Sequence, residues 1–266
     1  MTAIRVQSLH KHFDKVHVLR GLNFEVNAGE GVILLGANGC GKSTMMRCLN
    51  GLTKADEGQI HINDVCVQTA SRKQLRQVRR QVGVVFQQFN LVNNLSVFQN
   101  VLFGAIGRQR WGLMGAMAPL ANAEERDKAM ACLERVSLAD KASQRAESLS
   151  GGQQQRVAIA RMLMQEAEIV LADEPIASLD PKSGREVMDL LWDVVRERGM
   201  TVICTLHQLD VALEYGERFL GMKAGTIQID AKRDAVDKAL LTTLYQGQVR
   251  VDGQQTQLAT DTEVMA

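Results

Sequence analysis

Gly36-Ala37-Asn38-Gly39-Cys40-Gly41-Lys42-Ser43-Thr44 is the stretch on which the fold of this 266-residue chain turns. It matches G-x-x-x-x-G-K-[ST], in which glycines let consecutive backbone N–H groups turn inward on a phosphate and the next helix N-terminus adds its positive end. The flanks suit that reading. Val32-Ile33-Leu34-Leu35, between Gly31 and Gly36, is a short apolar run that fits a buried central strand, and a helix is expected from about Lys42 to Asn50, ended by Gly51. With glycine at about 7% of residues, the pattern arises by chance in roughly one chain in a hundred of this length. Lys42 is expected to reach the β- and γ-phosphates of a nucleotide, the Ser43 hydroxyl to ligate Mg2+, and Thr44 to touch the α-phosphate. Gly36 to Gly41 supply the backbone cradle, with Cys40 in place of a small residue. Standing at a helix N-terminus, Cys40 is expected to alkylate readily.

Outward from this loop, residues 4–13 and 17–27 alternate apolar and polar positions and read as early strands, with Gln59–Val67 as another half-buried strand. The basic run around Arg72–Arg80 reads as a solvated helix and Val82–Phe86 as a short buried strand. From about 90 to 160 the character changes to a Gly- and Met-rich loop at 107–118 and helical patterns at 123–136 and 152–164, as in a helical insertion between strands of a main sheet. Strand 168–172, helix 182–198, strand 201–205, a short helix near 208–215 and strands near 218–229 complete the order. Val187, Leu190, Leu191, Val194 and Val195 repeat at helical spacing, and Gly199 supplies the stop. Strands alternating with helices indicate an α/β fold with a mostly parallel sheet. The domain is expected to span residues 1–246, and the Gln/Thr-rich tail at 247–266 reads as loosely ordered.

Charge and composition narrow the function classes. The formal net charge of +1 offers no global attraction to nucleic acid, and no nucleic-acid partner is expected. Five scattered cysteines without C-x-x-C spacing support neither a disulfide framework nor a zinc site. No window approaches the ~18 continuous apolar residues of a membrane-spanning helix; Trp111 to Ala121 is short and broken by glycine and proline. His10, His12 and His17 show no metal spacing and read as surface residues.

Ile169-Val170-Leu171-Ala172-Asp173-Glu174 places two carboxylates at the end of an apolar strand, where open parallel sheets present ligands. Asp173 is expected to hold Mg2+ and Glu174 to polarise an attacking water as general base. The segment resembles the Walker B strand of nucleotide hydrolases.

Leu149-Ser150-Gly151-Gly152-Gln153-Gln154-Gln155-Arg156 resembles the signature of the ATP-binding-cassette (ABC) superfamily. The resemblance covers residue 4 to about 245. It implies a P-loop NTPase (RecA-like) core with an N-terminal antiparallel β subdomain and a helical subdomain over approximately 90–160. It also implies that Ser150, Gly151, Gly152 and Gln153 contact ATP held by a second copy of the chain. Gln87 looks like the Q-loop glutamine, with Gln88 as the alternative. Ser178-Leu179-Asp180 resembles the D-loop, although Asp180 before Pro181 is equally a helix N-cap. His207 matches the switch histidine and Phe13 the adenine-stacking aromatic, with a core phenylalanine as the plain alternative.

Within the superfamily, several segments resemble the phosphonate-import ATPases. They are Phe86-Gln87-Gln88-Phe89-Asn90-Leu91-Val92, the Trp111-bearing insertion, and Asp173-Glu174-Pro175-Ile176-Ala177-Ser178-Leu179-Asp180-Pro181, where Ile176 replaces the usual threonine. That branch implies an ATPase with Mg2+, peripheral on the cytoplasmic face of the inner membrane. Its implied partners are a second copy of itself, integral membrane permease subunits and a substrate-binding protein. Alternatives are another importer or exporter ATPase, or a non-transport ABC ATPase. A guanine-reading N-K-x-D motif is absent from the sequence.

Overall fold

The computed structural model describes residues 1–108 and 121–245. Most of the Gly- and Met-rich loop, with Trp111, and the 247–266 tail lie outside the described residues.

The early strands form a hairpin, β1 (Thr2–Phe13) and β2 (Val16–Asn27), ahead of β3 (Gly31–Leu35) and α1 (Lys42–Leu49). The expected strand at Gln59–Val67 is instead two strands, β4 (Glu57–Ile62) and β5 (Val65–Cys66), pairing Ile62 with Val65. Asn63 turns the chain between them at φ 50, a left-handed conformation that asparagine tolerates. These strands make an antiparallel sheet in the order β2-β1-β4-β5.

Next come α2 (Arg72–Gln81) and β6 (Val82–Phe86), then the helical insertion with α3 (Val97–Leu102), α4 (Ala123–Arg135) and α5 (Gly151–Gln165). Then follow β7 (Ile169–Asp173), α6 (Pro181–Arg198), β8 (Thr201–Thr205), α7 (Leu209–Tyr215), β9 (Arg218–Lys223), β10 (Thr226–Lys232) and α8 (Lys238–Thr242). The main sheet runs β10-β9-β3-β8-β7-β6, parallel except for the β9/β10 hairpin. α3 escapes periodicity because its six residues make fewer than two turns. Its start is fixed by Ser96, whose hydroxyl accepts from the Gln99 amide at 3.1 Å.

Alternation along the central strands divides the interior in two. Ile33, Leu35, Val170, Ala172, Val202 and Cys204 face the helical layer, while Val32, Leu34, Leu171 and Ile203 face the antiparallel sheet and α1. Both faces are therefore dry, which is why these strands read as continuous apolar runs. α6 begins at Asp180 and stops at Gly199, left-handed at φ 60, and buries Val187, Leu191, Trp192, Val194 and Val195 on one stripe. No described helix is long and apolar enough to cross a membrane. This layering brings the C-terminal ends of β3, β6, β7 and β8 to one edge, and the loops leaving them form the site.

Candidate phosphate and hydrolysis site

Crowding shapes the loop after β3. A Cβ on Gly36 would stand 2.2 Å from the Met222 carbonyl oxygen and 2.7 Å from Cys40 Sγ, so only glycine fits there. Gly41 precedes α1 at φ 109 and lies against β2, where a Cβ would meet Leu19 Cδ2 at 2.8 Å. The loop is thus wedged between β9 and β2. Lys42 is 4% exposed, and its ammonium donates to the carbonyl oxygens of Gly36 at 2.8 Å and Ala37 at 3.3 Å. Cys40 is buried too, and that burial pushes its thiol pKa up against the lowering pull of Lys42. The expectation of an easily alkylated Cys40 is therefore corrected: desolvation outweighs the helix N-terminus, and reagents lack access.

The carboxylates sit as the strand pattern implied. Ser43 Oγ lies 3.4 Å from Asp173 Oδ1. The same Asp173 oxygen accepts from Thr205 Oγ1 at 2.9 Å, and Thr205 Oγ1 accepts from the Glu174 amide at 2.7 Å. Glu174 is left-handed at φ 51, a strained conformation for a side-chain-bearing residue, and the Thr205 bond holds it there. His207 Nε2 pairs with Glu174 Oε1. Sequence reading had no signal for the double role of Thr205, because it depends on β7 and β8 lying side by side with Asp173 opposite Thr205.

These groups fit a nucleotide phosphate and Mg2+. An ammonium at a helix N-terminus matches phosphate oxygens, and Ser43 with Asp173 offers the hard oxygen ligands Mg2+ takes beside phosphates and water.

The remaining candidates stand on other segments, and their hydrogen bonds are with neighbours there rather than with Lys42, Asp173 or Glu174. Gln87 and Gln88 follow β6 with exposed side chains, and the Gln87 carbonyl accepts from Ser178 Oγ at 3.3 Å. Phe89 and Asn90 are left-handed, at φ 55 and 50. Arg161 of α5 grips this turn, donating to the carbonyls of Phe89, at 2.9 Å, and Asn90. Gln155 Nε2 donates to the Phe86 carbonyl at 3.3 Å. Both α5 contacts are absent from the motif reading, since they appear only once α5 packs beside β6.

Ser150 caps α5 with Gln153 in a reciprocal box, and a Cβ on Gly152 would meet Ser183 Cβ at 3.1 Å. Asp180 caps α6 through the amides of Lys182 and Ser183, and the hydroxyl and amide of Ser183 hold its carboxyl below the ordinary range. Phe13 ends β1 with 48% of its surface exposed, which excludes the core alternative. His10, His12 and His17 are exposed or half-buried, as expected of surface residues, and they lie against one another. His10 Nδ1 lies 3.0 Å from His17 Nε2, and the His12 and His17 rings stack at 3.9 Å.

Thr205→Val keeps the shape of the buried side chain but removes both bonds. It is expected to destabilise the fold by about 1–3 kcal/mol and to slow ATP hydrolysis at least about ten-fold, read from thermal melting and steady-state turnover.

Comparison with known proteins places this geometry. Residues 19–177 match the ABC transporter family. Over 249 residues the chain is 51% identical to the phosphonates import ATP-binding protein PhnC 2 of Pseudomonas syringae pv. syringae, covering 91% of this chain and 89% of that protein. The phosphate-import ATP-binding protein PhnC of Mycolicibacterium smegmatis is 46% identical, with 89% of each chain covered. The dimeric post-hydrolysis structure of the ATP-binding cassette MJ0796, bound to ADP and Pi, superposes with a TM-score of 0.75 at 35% identity, covering 86% of this chain and 98% of that one. The chain belongs to the ABC transporter family, within its ATP-binding subunits.

Proposed function

We propose that this chain is the ATP-hydrolysing subunit of an importer for phosphonate or a related phosphorus oxyanion. It works as a pair, with Mg2+, on the cytoplasmic face of the inner membrane. Asp173 and Glu174, set at the end of β7 opposite Thr205 and beside the Lys42 loop, are the observation that carries the hydrolytic part. The identity to PhnC 2 supports the cargo class.

In this reading the Gly36–Gly41 amides and Lys42 bind the phosphates. Ser43 and Asp173 hold Mg2+, which screens phosphate charge. Glu174 is the base, aimed by its left-handed backbone, and takes the proton of the attacking water. His207, paired with Glu174, orients that carboxylate and would contact the terminal phosphate. Phe13 stacks on adenine. Gln87 reports on the metal and on the permease, being tied through its carbonyl to Ser178 beside Asp180.

Ser150, Gly151, Gly152 and Gln153 offer a second, pre-capped helix N-terminus for the γ-phosphate of a partner copy. The dimer of the MJ0796 cassette supports the pairing. Residues 1–246 act as one ATP-binding domain, energising permease subunits that receive cargo from a substrate-binding protein. The phosphate-import relative favours inorganic phosphate as the second reading of the cargo.

Glu174→Gln is expected to bind ATP, lose about 100-fold or more in turnover and accumulate as a dimer on gel filtration; unchanged turnover rejects Glu174 as the base. Ser150→Arg is expected to bind nucleotide as a monomer and to lose hydrolysis. Normal hydrolysis by that variant rejects the role of the signature toward a partner copy. For the cargo, ATPase activity of the assembled transporter in proteoliposomes is expected to rise with a phosphonate at lower concentration than with phosphate. The reverse order selects the phosphate reading, and stimulation by neither rejects both.

A further inference from the structure

The tip of the β1–β2 hairpin carries an apolar surface and a charged pair that the phosphate chemistry does not use. Phe13 is exposed, as is its cross-strand partner Val16. Over the Phe13 ring lies the Lys11 ammonium, 5.2 Å from the centroid. The Lys11 side chain keeps only 13% of its surface exposed, although lysine ordinarily leaves its ammonium in water.

Lys11 is held in place from one direction. Its Nζ donates to Asp56 Oδ1 at 2.8 Å, while Asp56 Oδ2 accepts from the His12 amide at 2.6 Å. The Asp56 amide in turn donates to the His10 carbonyl at 3.0 Å. Asp56 stands just before β4, so this knot ties the hairpin tip to the rest of the antiparallel sheet. The Lys11 hydrogen bond, followed by that of the His12 amide, lowers the Asp56 carboxyl below its usual range.

The physics of stacking gives the arrangement a purpose. Aromatic faces carry negative potential, so two rings laid face to face repel unless offset. A cation over one face satisfies that face and draws π density toward itself. With 48% of Phe13 exposed, the face away from Lys11 is then the less negative one, better suited to another π system.

We infer that Lys11, fixed by Asp56, is a positioning residue for base recognition, backing the Phe13 ring and directing the nucleotide base to its opposite face. The inference rests on the reading of Phe13 as the base-stacking residue and adds the charge behind it.

The test measures the Kd of fluorescently labelled ATP and ADP for the full, nucleotide-free chain, with the melting temperature of each variant as a check on folding. Lys11→Met is expected to weaken both nucleotides alike, by about two- to five-fold, with little change in melting. Lys11→Arg is expected to keep wild-type affinity, because a guanidinium also lies over an aromatic face. In a Phe13→Ala background, Lys11→Met is expected to cost nothing further. A loss confined to ATP, or equal in both backgrounds, puts the ammonium on the phosphates and overturns the inference. So does wild-type binding by Lys11→Met when Phe13→Ala binds weakly, a result that leaves the Phe13 reading standing. Wild-type binding by Phe13→Ala fails the Phe13 reading itself and takes the inference down with it.

Discussion

One buried ammonium organises the phosphate site. Lys42 is almost fully desolvated, and its bonds within the chain go to two neutral carbonyls, with no carboxylate at ion-pair distance among the described residues. Taking a full charge out of water is costly unless charge and hydrogen bonds compensate it. The chain accepts this arrangement because the wedge between β9 and β2 fixes the loop, and the crowding at Gly36 fixes its path. A cation so placed, at a helix N-terminus, makes a strong well for anions. The carboxylates at the end of β7 stand beside that well, Asp173 within 3.4 Å of Ser43. Attraction for the substrate and readiness for its cleavage therefore come from one sheet edge.

The motif residues were legible in the sequence because each depends on local geometry. A glycine loop, an acidic pair at a strand end and a capped helix start are all written within about ten residues. The helices at 182–198 and 152–164 and the strands at 82–86 and 201–205 were legible for a similar reason, since both faces of the sheet are dry and the runs are continuous. What stayed hidden needs two distant segments at once. Thr205 acquires its double role only beside Asp173. The split of the expected Gln59–Val67 strand turns on one left-handed asparagine. Cys40 went wrong because helix polarity is visible in sequence and burial beneath the loop is not.

The histidines at the hairpin show a further limit. Sequence spacing could not foresee that β1/β2 pairing stacks His12 on His17 and brings His10 to the same ring. Cross-strand neighbours are set by register, and register is set by the turn and by the apolar side of the sheet.

The grip of α5 on its surroundings has a mechanical consequence. At its start stands the capped Ser150; midway, Gln155 and Arg161 hold the carbonyls of Phe86, Phe89 and Asn90; at its end, Gln165 Nε2 holds those of Arg79, Arg80 and Val82. The helix is bolted along its length to the end of α2, to β6 and to the strained turn that follows. A push on its first turn is resisted at both ends of β6, because the bolts run from the last turn of α2 along that strand to the turn beyond Gln87. Force applied at one rim is delivered at the other as a rigid displacement, so the chain behaves there less like a sensor and more like a crank.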